Sequence, residues 1–273
     1  MGKNSKIEWT HHTFNPWWGC VKVSEACKFC YAESWARRVG KNVWGAAADR
    51  RFFGEAHWTE PLKWDREAAG EGVRRRVFCA SMADVFERRA ELNIWRAKLW
   101  DLIEATPNLD WLLLTKRPQS VSAMTPWGEN WPLNVWLGTT VENQRRANER
   151  LSILAEIPAR VRFISAEPLL GPLDLRPWMK GTIGWVITGG ESGAKARPSS
   201  PAWFRDLLRQ CVRAEVPFHF KQWGDWAPGE GLLRSVTAPM KTATDGTEMV
   251  RVGKRLAGRA LDGAIYDGLP SAA

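Results

Sequence analysis

The chain has 273 residues, 44% of them hydrophobic, and a formal net charge of +9. This length suits one large domain or two small ones, with a substantial core, and α/β barrels of this size are commonly single domains. No run of about 20 apolar residues occurs, which excludes a helical membrane span, and the positive surplus points to an acidic partner, most commonly nucleic acid.

The polar opening Met1–Glu8 has no apolar signal core, so a cytoplasmic protein is expected. Residues 7–18 suit a short first strand and a loop. Residues 27–39 read as a helix with Cys27 and Cys30 on one face. Residues 40–72 read as an irregular insertion carrying the basic pair Arg50-Arg51. The pattern then becomes regular. Short apolar strands are expected at Val77–Ser81, Trp111–Thr115, Val135–Thr139, Val161–Ser165, Trp185–Thr188 and Phe218–Lys221. Helices are expected between them, with Leu92, Trp95, Leu99, Leu102 and Ile103 on one face, then at 143–156 and 202–214. Cys211 falls on the apolar stripe of the last and is read as core.

Short apolar strands alternating with helices indicate a parallel sheet covered on both faces. The fold class expected is therefore α/β, a partial (β/α)6-type TIM barrel over 1–224. Residues 225–273 are expected to form a basic C-terminal extension, packed on the barrel or partly mobile.

Each strand ends in a polar cluster, and active sites of barrels and open α/β sheets lie at the carboxyl ends of their strands. Ser81, Asp84, Thr115, Lys116, Thr139, Glu142, Ser165, Glu167, Gly189, Gly190 and Glu191 are the candidates to bind a cofactor there. Glu142, Glu167 and Glu191 suit an ammonium group or ribose hydroxyls, whereas Lys116, Arg117 and Lys221 suit carboxylate or phosphate. Gly189-Gly190 allows close backbone approach to a ligand or makes a tight turn. This run is neither a dinucleotide fingerprint nor a P-loop. Of the eighteen tryptophans most are read as structural, but Trp17 and Trp18, with Arg117 and Lys221, are candidates for contact with substrate.

Five cysteines do not make a disulfide framework, but Cys20, Cys27 and Cys30 are clustered, with six and then two residues between them. Three readings are open. Structural zinc would need a fourth ligand, from His11 or His12, and would suit a non-catalytic nucleic-acid-binding protein. Buried free cysteine is the second. The third is a [4Fe–4S] cluster on three cysteines, with one iron open. Cys79, at the end of the second strand, is either a small core residue or a donor of a hydrogen atom to a substrate radical.

Cys27-Lys28-Phe29-Cys30 resembles the second half of the signature of the radical S-adenosylmethionine (radical SAM) superfamily. The common signature has three residues between its first two cysteines, where this chain has six. In many members a Gly-Gly-Glu run follows the second strand, where this chain has Ser81–Asp84. The runs Ile7–Thr10, Asn15–Cys20, Cys30–Glu33, Ser81–Phe86, Leu114–Pro118, Leu137–Asn143, Ser165–Gly171, Gly189–Gly193 and Lys221–Gly224 are similar to a phage-associated, three-cysteine, radical-SAM-like family across almost the whole chain. The resemblance implies Cys20, Cys27 and Cys30 as ligands of a [4Fe–4S] cluster whose open iron binds S-adenosylmethionine. Reductive cleavage of that cofactor would give a 5′-deoxyadenosyl radical. An electron donor such as flavodoxin or ferredoxin is implied. The expected substrate is a nucleotide or nucleic-acid base, flipped or single-stranded, with a small metabolite as the alternative.

Overall fold

In the computed structural model, which describes residues 2–230 and 238–271, the chain divides into two compact units. Residues 231–237 and 272–273 of the expected extension lie outside the described residues. The first unit takes Met1–Val23, Ala32–Thr139 and Ile153–Arg162, and the second takes Ser24–Tyr31, Thr140–Ser152 and Phe163–Ala273.

The first unit is built on parallel strands β1 (His12–Thr13), β2 (Arg75–Cys79), β3 (Leu109–Thr115) and β4 (Val135–Thr140). They pair in chain order, His12 opposite Val77, Cys79 opposite Leu113 and Thr115 opposite Thr139. Val77, Leu109, Trp111, Leu113, Val135 and Leu137 are fully buried, as strands covered on both faces require. The helices are α1 (Tyr31–Arg38), α2 (Glu55–Trp58), α3 (Glu60–Glu71), α4 (Asn93–Glu104) and α5 (Val121–Met124). On α4, Leu99, Leu102 and Ile103 are buried as the spacing predicts.

Two expectations fail here. The stretch 40–72 is not irregular throughout, because α2 and α3 occupy most of its second half. Trp58, Pro61, Trp64 and Ala68 lie three or four apart and are buried, a helical stripe hidden among charges. Gly72 closes α3 at φ +65°, its amide donating back to Ala68 and Ala69. The cysteine segment is not one helix either. Glu25–Cys27 is a single 3₁₀ turn, and α1 begins only after Cys30.

In the second unit, α6 (Gln144–Ala155), β5 (Val161–Ala166), α7 (Arg176–Met179), β6 (Trp185–Gly189), α8 (Pro201–Ala214) and β7 (Phe218–Gln222) continue the alternation. Strands β5, β6 and β7 pair in parallel and in chain order, Phe163 opposite Trp185 and Val186 opposite Phe218. Phe204, Leu207 and Cys211 of α8 are buried, the stripe read from the sequence. Beyond β7, β8 (Trp226–Pro228), β9 (Met240–Thr242) and β10 (Glu248–Arg251) form a small antiparallel sheet, and α9 (Lys254–Ala257) follows. The chain then returns along β7: the Phe220 amide donates to the Tyr266 carbonyl and the Gly268 amide to the Phe218 carbonyl, both at 3.0 Å. Pairing of this kind blunts an exposed strand edge. Among the described residues no helix is long and apolar enough to cross a membrane.

Candidate functional site

In the first unit the polar residues at the carboxyl ends of β2 and β3 converge on Asp84. Its Oδ1 accepts from Thr115 Oγ1 at 2.7 Å and the Phe86 amide at 3.1 Å. Its Oδ2 accepts from the Lys116 amide at 3.1 Å and Arg117 Nη1 at 2.8 Å. Arg117 Nη1 also donates to Cys20 Sγ at 3.7 Å, and Nη2 to the Val21 carbonyl at 2.8 Å. Ser81 is hydrogen-bonded to Asn15, whose Oδ1 also accepts the Met82 amide at 2.7 Å. Thr139 Oγ1 donates to the Thr115 carbonyl at 2.9 Å. Asp84, Thr115, Thr139, Ser81 and Arg117 are all buried. Arg117 is thus not a surface cation awaiting substrate but part of the packing around Cys20. Lys116 is partly exposed.

The loop that presents Cys20 is fixed from behind. Arg50 makes a buried ion pair with Glu87 and donates to the carbonyls of Val43, Gly45 and Ala48. The Gly45 amide in turn donates to the Cys20 carbonyl, and the Gly19 amide to the Met82 carbonyl, both at 3.0 Å. Sequence reasoning saw Arg50-Arg51 only as a basic pair; an isolated Arg carries no sign that a Glu 37 positions away will bury it. Burial pushes the Cys20 thiol up to about 12, with Asp84 adding to the rise and Arg117 opposing it. The Trp17 indole is fully buried and is core rather than a stacking surface. Trp18 is half-buried, with the Arg51 guanidinium 4.3 Å from its ring. Cys79 is fully buried opposite Leu113, and burial raises its thiol above the ordinary range.

The second unit holds Cys27 and Cys30, and three arginine–carboxylate contacts grip the turn that carries them. Glu142, fully buried, accepts the Ala26 amide at 3.3 Å on Oε1 and Arg150 Nη1 at 2.9 Å on Oε2. Arg146 reaches Glu25 through Nε at 3.0 Å. Arg197 donates to the Glu25 carbonyl at 3.1 Å, pairs with Glu191 through Nε at 2.8 Å, and lies 5.1 Å from the Phe29 ring. Two of the carboxylates singled out for a ligand, Glu142 and Glu191, are therefore occupied with the cysteine turn. Arg146, Arg150 and Arg197 carry no signal in the sequence that marks this use. Tyr31 is 56% exposed over the whole residue.

At the carboxyl ends of β5 to β7, Ser165 is buried, its carbonyl accepting the Val141 amide at 3.1 Å. Glu167 and Lys221 form a partly exposed ion pair at 3.1 Å. The glycines approach protein, not open space: a Cβ on Gly189 would meet Glu167 Oε1 at 2.9 Å, and one on Gly190 would lie 1.9 Å from the Trp223 carbonyl oxygen. Gln222 is buried, donating to Ser192 Oγ at 3.1 Å and leaving Oε1 without a partner.

Cys20, Cys27 and Cys30 are the candidate ligands of a metal centre. Cys20, Cys27 and Cys30 are in no disulfide and are partly exposed, whereas Cys79 and Cys211 are sealed in the core. Cys20, Cys27 and Cys30 are therefore less deeply buried than Cys79 and Cys211, although burial still raises the Cys20 thiol. His11 Nδ1 accepts the Arg76 amide at 2.8 Å, and His12 Nδ1 accepts the Asn4 amide at 3.3 Å. His12 also stacks on Trp64 at 4.5 Å. Among the described residues no group of three or more His, Cys, Asp or Glu is gathered as a single metal ion would require. The Nδ1 atoms of both histidines are thus already hydrogen-bonded within the protein.

A family model described as a protein of unknown function (DUF5131) matches residues 4–270. No curated protein matches. Among solved structures, a mutant of spore photoproduct lyase is similar with a TM-score of 0.51 and 14% identity, over 92% of this chain and 71% of that one. A second mutant of the same lyase, with bound AdoMet and dinucleoside spore photoproduct, has a TM-score of 0.50 and 13% identity over the same shares. At this identity the likeness is one of fold, an α/β partial barrel, as the alternation of strands and helices leads one to expect.

Proposed function

We propose that this chain, which belongs to the DUF5131 family, is a radical SAM enzyme acting on a nucleotide or nucleic-acid base. Cys20, Cys27 and Cys30 would hold the [4Fe–4S] cluster. The observation that carries the reading is this set of three unbridged, partly exposed cysteines after β1, in a fold similar to that of a lyase solved with AdoMet and a dinucleoside. The bound cluster would supply the electron that cleaves the sulfonium of S-adenosylmethionine, giving methionine and a radical able to abstract hydrogen from substrate.

This chain's own residues would do the positioning. Arg50 and Glu87 hold the loop behind Cys20, and Glu142, Arg146 and Arg197 hold the turn at Glu25–Cys27. Glu167, Lys221 and Lys116 are the partly exposed polar residues left at the strand ends; they are assigned to the cofactor's methionyl and ribose groups or to substrate phosphate. The net charge of +9 supports an anionic substrate. A role in DNA modification or repair draws on the motifs Asn15–Cys20 and Ser81–Phe86 together with the lyase likeness, whereas the phage association draws on the motifs alone.

The test is anaerobic reconstitution with iron and sulfide, then reduction with S-adenosylmethionine in the presence and absence of single-stranded DNA. 5′-Deoxyadenosine should form, increase with DNA, and vanish in Cys27→Ala. DNA binding should weaken as salt rises. No 5′-deoxyadenosine under any condition would defeat the enzyme reading. Turnover indifferent to DNA, with no salt-dependent binding, would favour a small metabolite.

A further inference from the structure

We propose that Arg117 is a positioning residue that donates a hydrogen bond to the Cys20 sulfur and so sets the reduction potential of the cluster; this rests on the reading above that Cys20 is a cluster ligand. Arg117 Nη1 lies 3.7 Å from Cys20 Sγ and 2.8 Å from Asp84 Oδ2. Nη2 donates to the Val21 carbonyl at 2.8 Å, so one guanidinium grips both the sulfur and the backbone beside it. The Arg117 amide is tied to Thr115 Oγ1 at 2.9 Å. Asp84 is fixed in turn by Thr115, Lys116 and Phe86. With Arg117 7% and Asp84 5% exposed, a substrate phosphate could reach this guanidinium only by breaking the pair.

The chemistry gives the arrangement a sign. A cysteine sulfur on iron is anionic, and reduction adds one more electron to the cluster. A fixed donor and positive charge beside that sulfur stabilise the reduced form more than the oxidised form, which raises the potential. Arginine keeps its proton at any working pH, so this influence is constant. Asp84 holds the guanidinium in place, while its own negative charge acts in the opposite sense and disfavours the reduced form.

The experiment is a dithionite titration of the reconstituted full chain, followed by electron paramagnetic resonance (EPR), for wild type, Arg117→Met, Arg117→Lys and Asp84→Asn. Arg117→Met should move the midpoint to more negative potential by at least a tenfold change in the reduction equilibrium, ~59 mV for one electron. Arg117→Lys should move it less in the same direction, and Asp84→Asn should move it to more positive potential. Opposite signs from two variants that break the same ion pair distinguish tuning from lost structure, which would not reverse between them. An intact cluster with wild-type midpoints in Arg117→Lys and Asp84→Asn would overturn the assignment, whether or not Arg117→Met assembles. Failure of the wild type to assemble a cluster would instead overturn the reading beneath it.

Discussion

His11 and His12 show how burial turns a potential metal ligand into a structural acceptor. Desolvation lowers both to about 4 from an ordinary 6.5, with Arg76 pressing further on His11 and the neighbouring His11 on His12. Both are neutral, folded or unfolded, above pH 6.5, where their contribution to stability is complete. As pH falls from 6.5 toward 4 the unfolded chain takes up protons that the folded chain refuses, so stability is lost. Urea unfolding near pH 7.5 and near pH 5 should therefore show a lower midpoint at the acidic value. The loss should shrink in His12→Gln; a midpoint equally acid-sensitive in that variant would remove His12 from the account. The same contrast between residue type and use runs through the strand ends. Lys116 and Lys221 keep partial exposure, whereas Arg117, Glu142 and Glu191 are drawn into ion pairs that hold the cysteine segments. Residue type alone does not distinguish these fates, because both need a charged side chain after a strand.

At the scale of the element, the strands were legible because each is a short run of apolar residues bounded by polar ones. β2 to β7 all fall within two residues of their expected positions. α3 was missed because its buried positions are few and separated by charges, Trp64 and Ala68 standing among Lys63, Asp65, Arg66 and Glu67. The helix expected over both Cys27 and Cys30 does not form because the chain makes one 3₁₀ turn and then restarts at Tyr31. That break is secured by Glu142, Arg146 and Arg197, whose positions no local pattern reveals. The Gly189-Gly190 run was visible, but its reason was not: Gly189 closely approaches Glu167 and the end of β7, and Gly190 the segment after β7. Gly190→Ala should therefore cost about 1–3 kcal/mol or more through overpacking, read as a fall in the unfolding midpoint. Gly171→Ala, whose Cβ would meet only ordinary contact with Asn143 at 3.5 Å, should cost much less. Equal effects of the two substitutions would contradict the packing account.

For the molecule as a whole, length and the succession of βα units were enough to anticipate the α/β partial barrel. What they did not foretell is how much of the chain serves the cysteine segments. Each unit spends ion pairs on its own share of them: buried Arg50–Glu87 and Arg117–Asp84 on the side of Cys20, buried Arg150–Glu142 and the half-buried Arg197–Glu191 on the side of Cys27. Buried pairs are costly to desolvate and are weak devices for stability alone, which fits a role in fixing the geometry of ligands. The most direct test is the EPR spectrum of the anaerobically reduced protein before and after addition of S-adenosylmethionine. The account predicts a [4Fe–4S] signal that changes shape when the cofactor is added, because one iron is open to it. A signal indifferent to the cofactor, or a protein that takes up zinc and assembles no cluster, would contradict it.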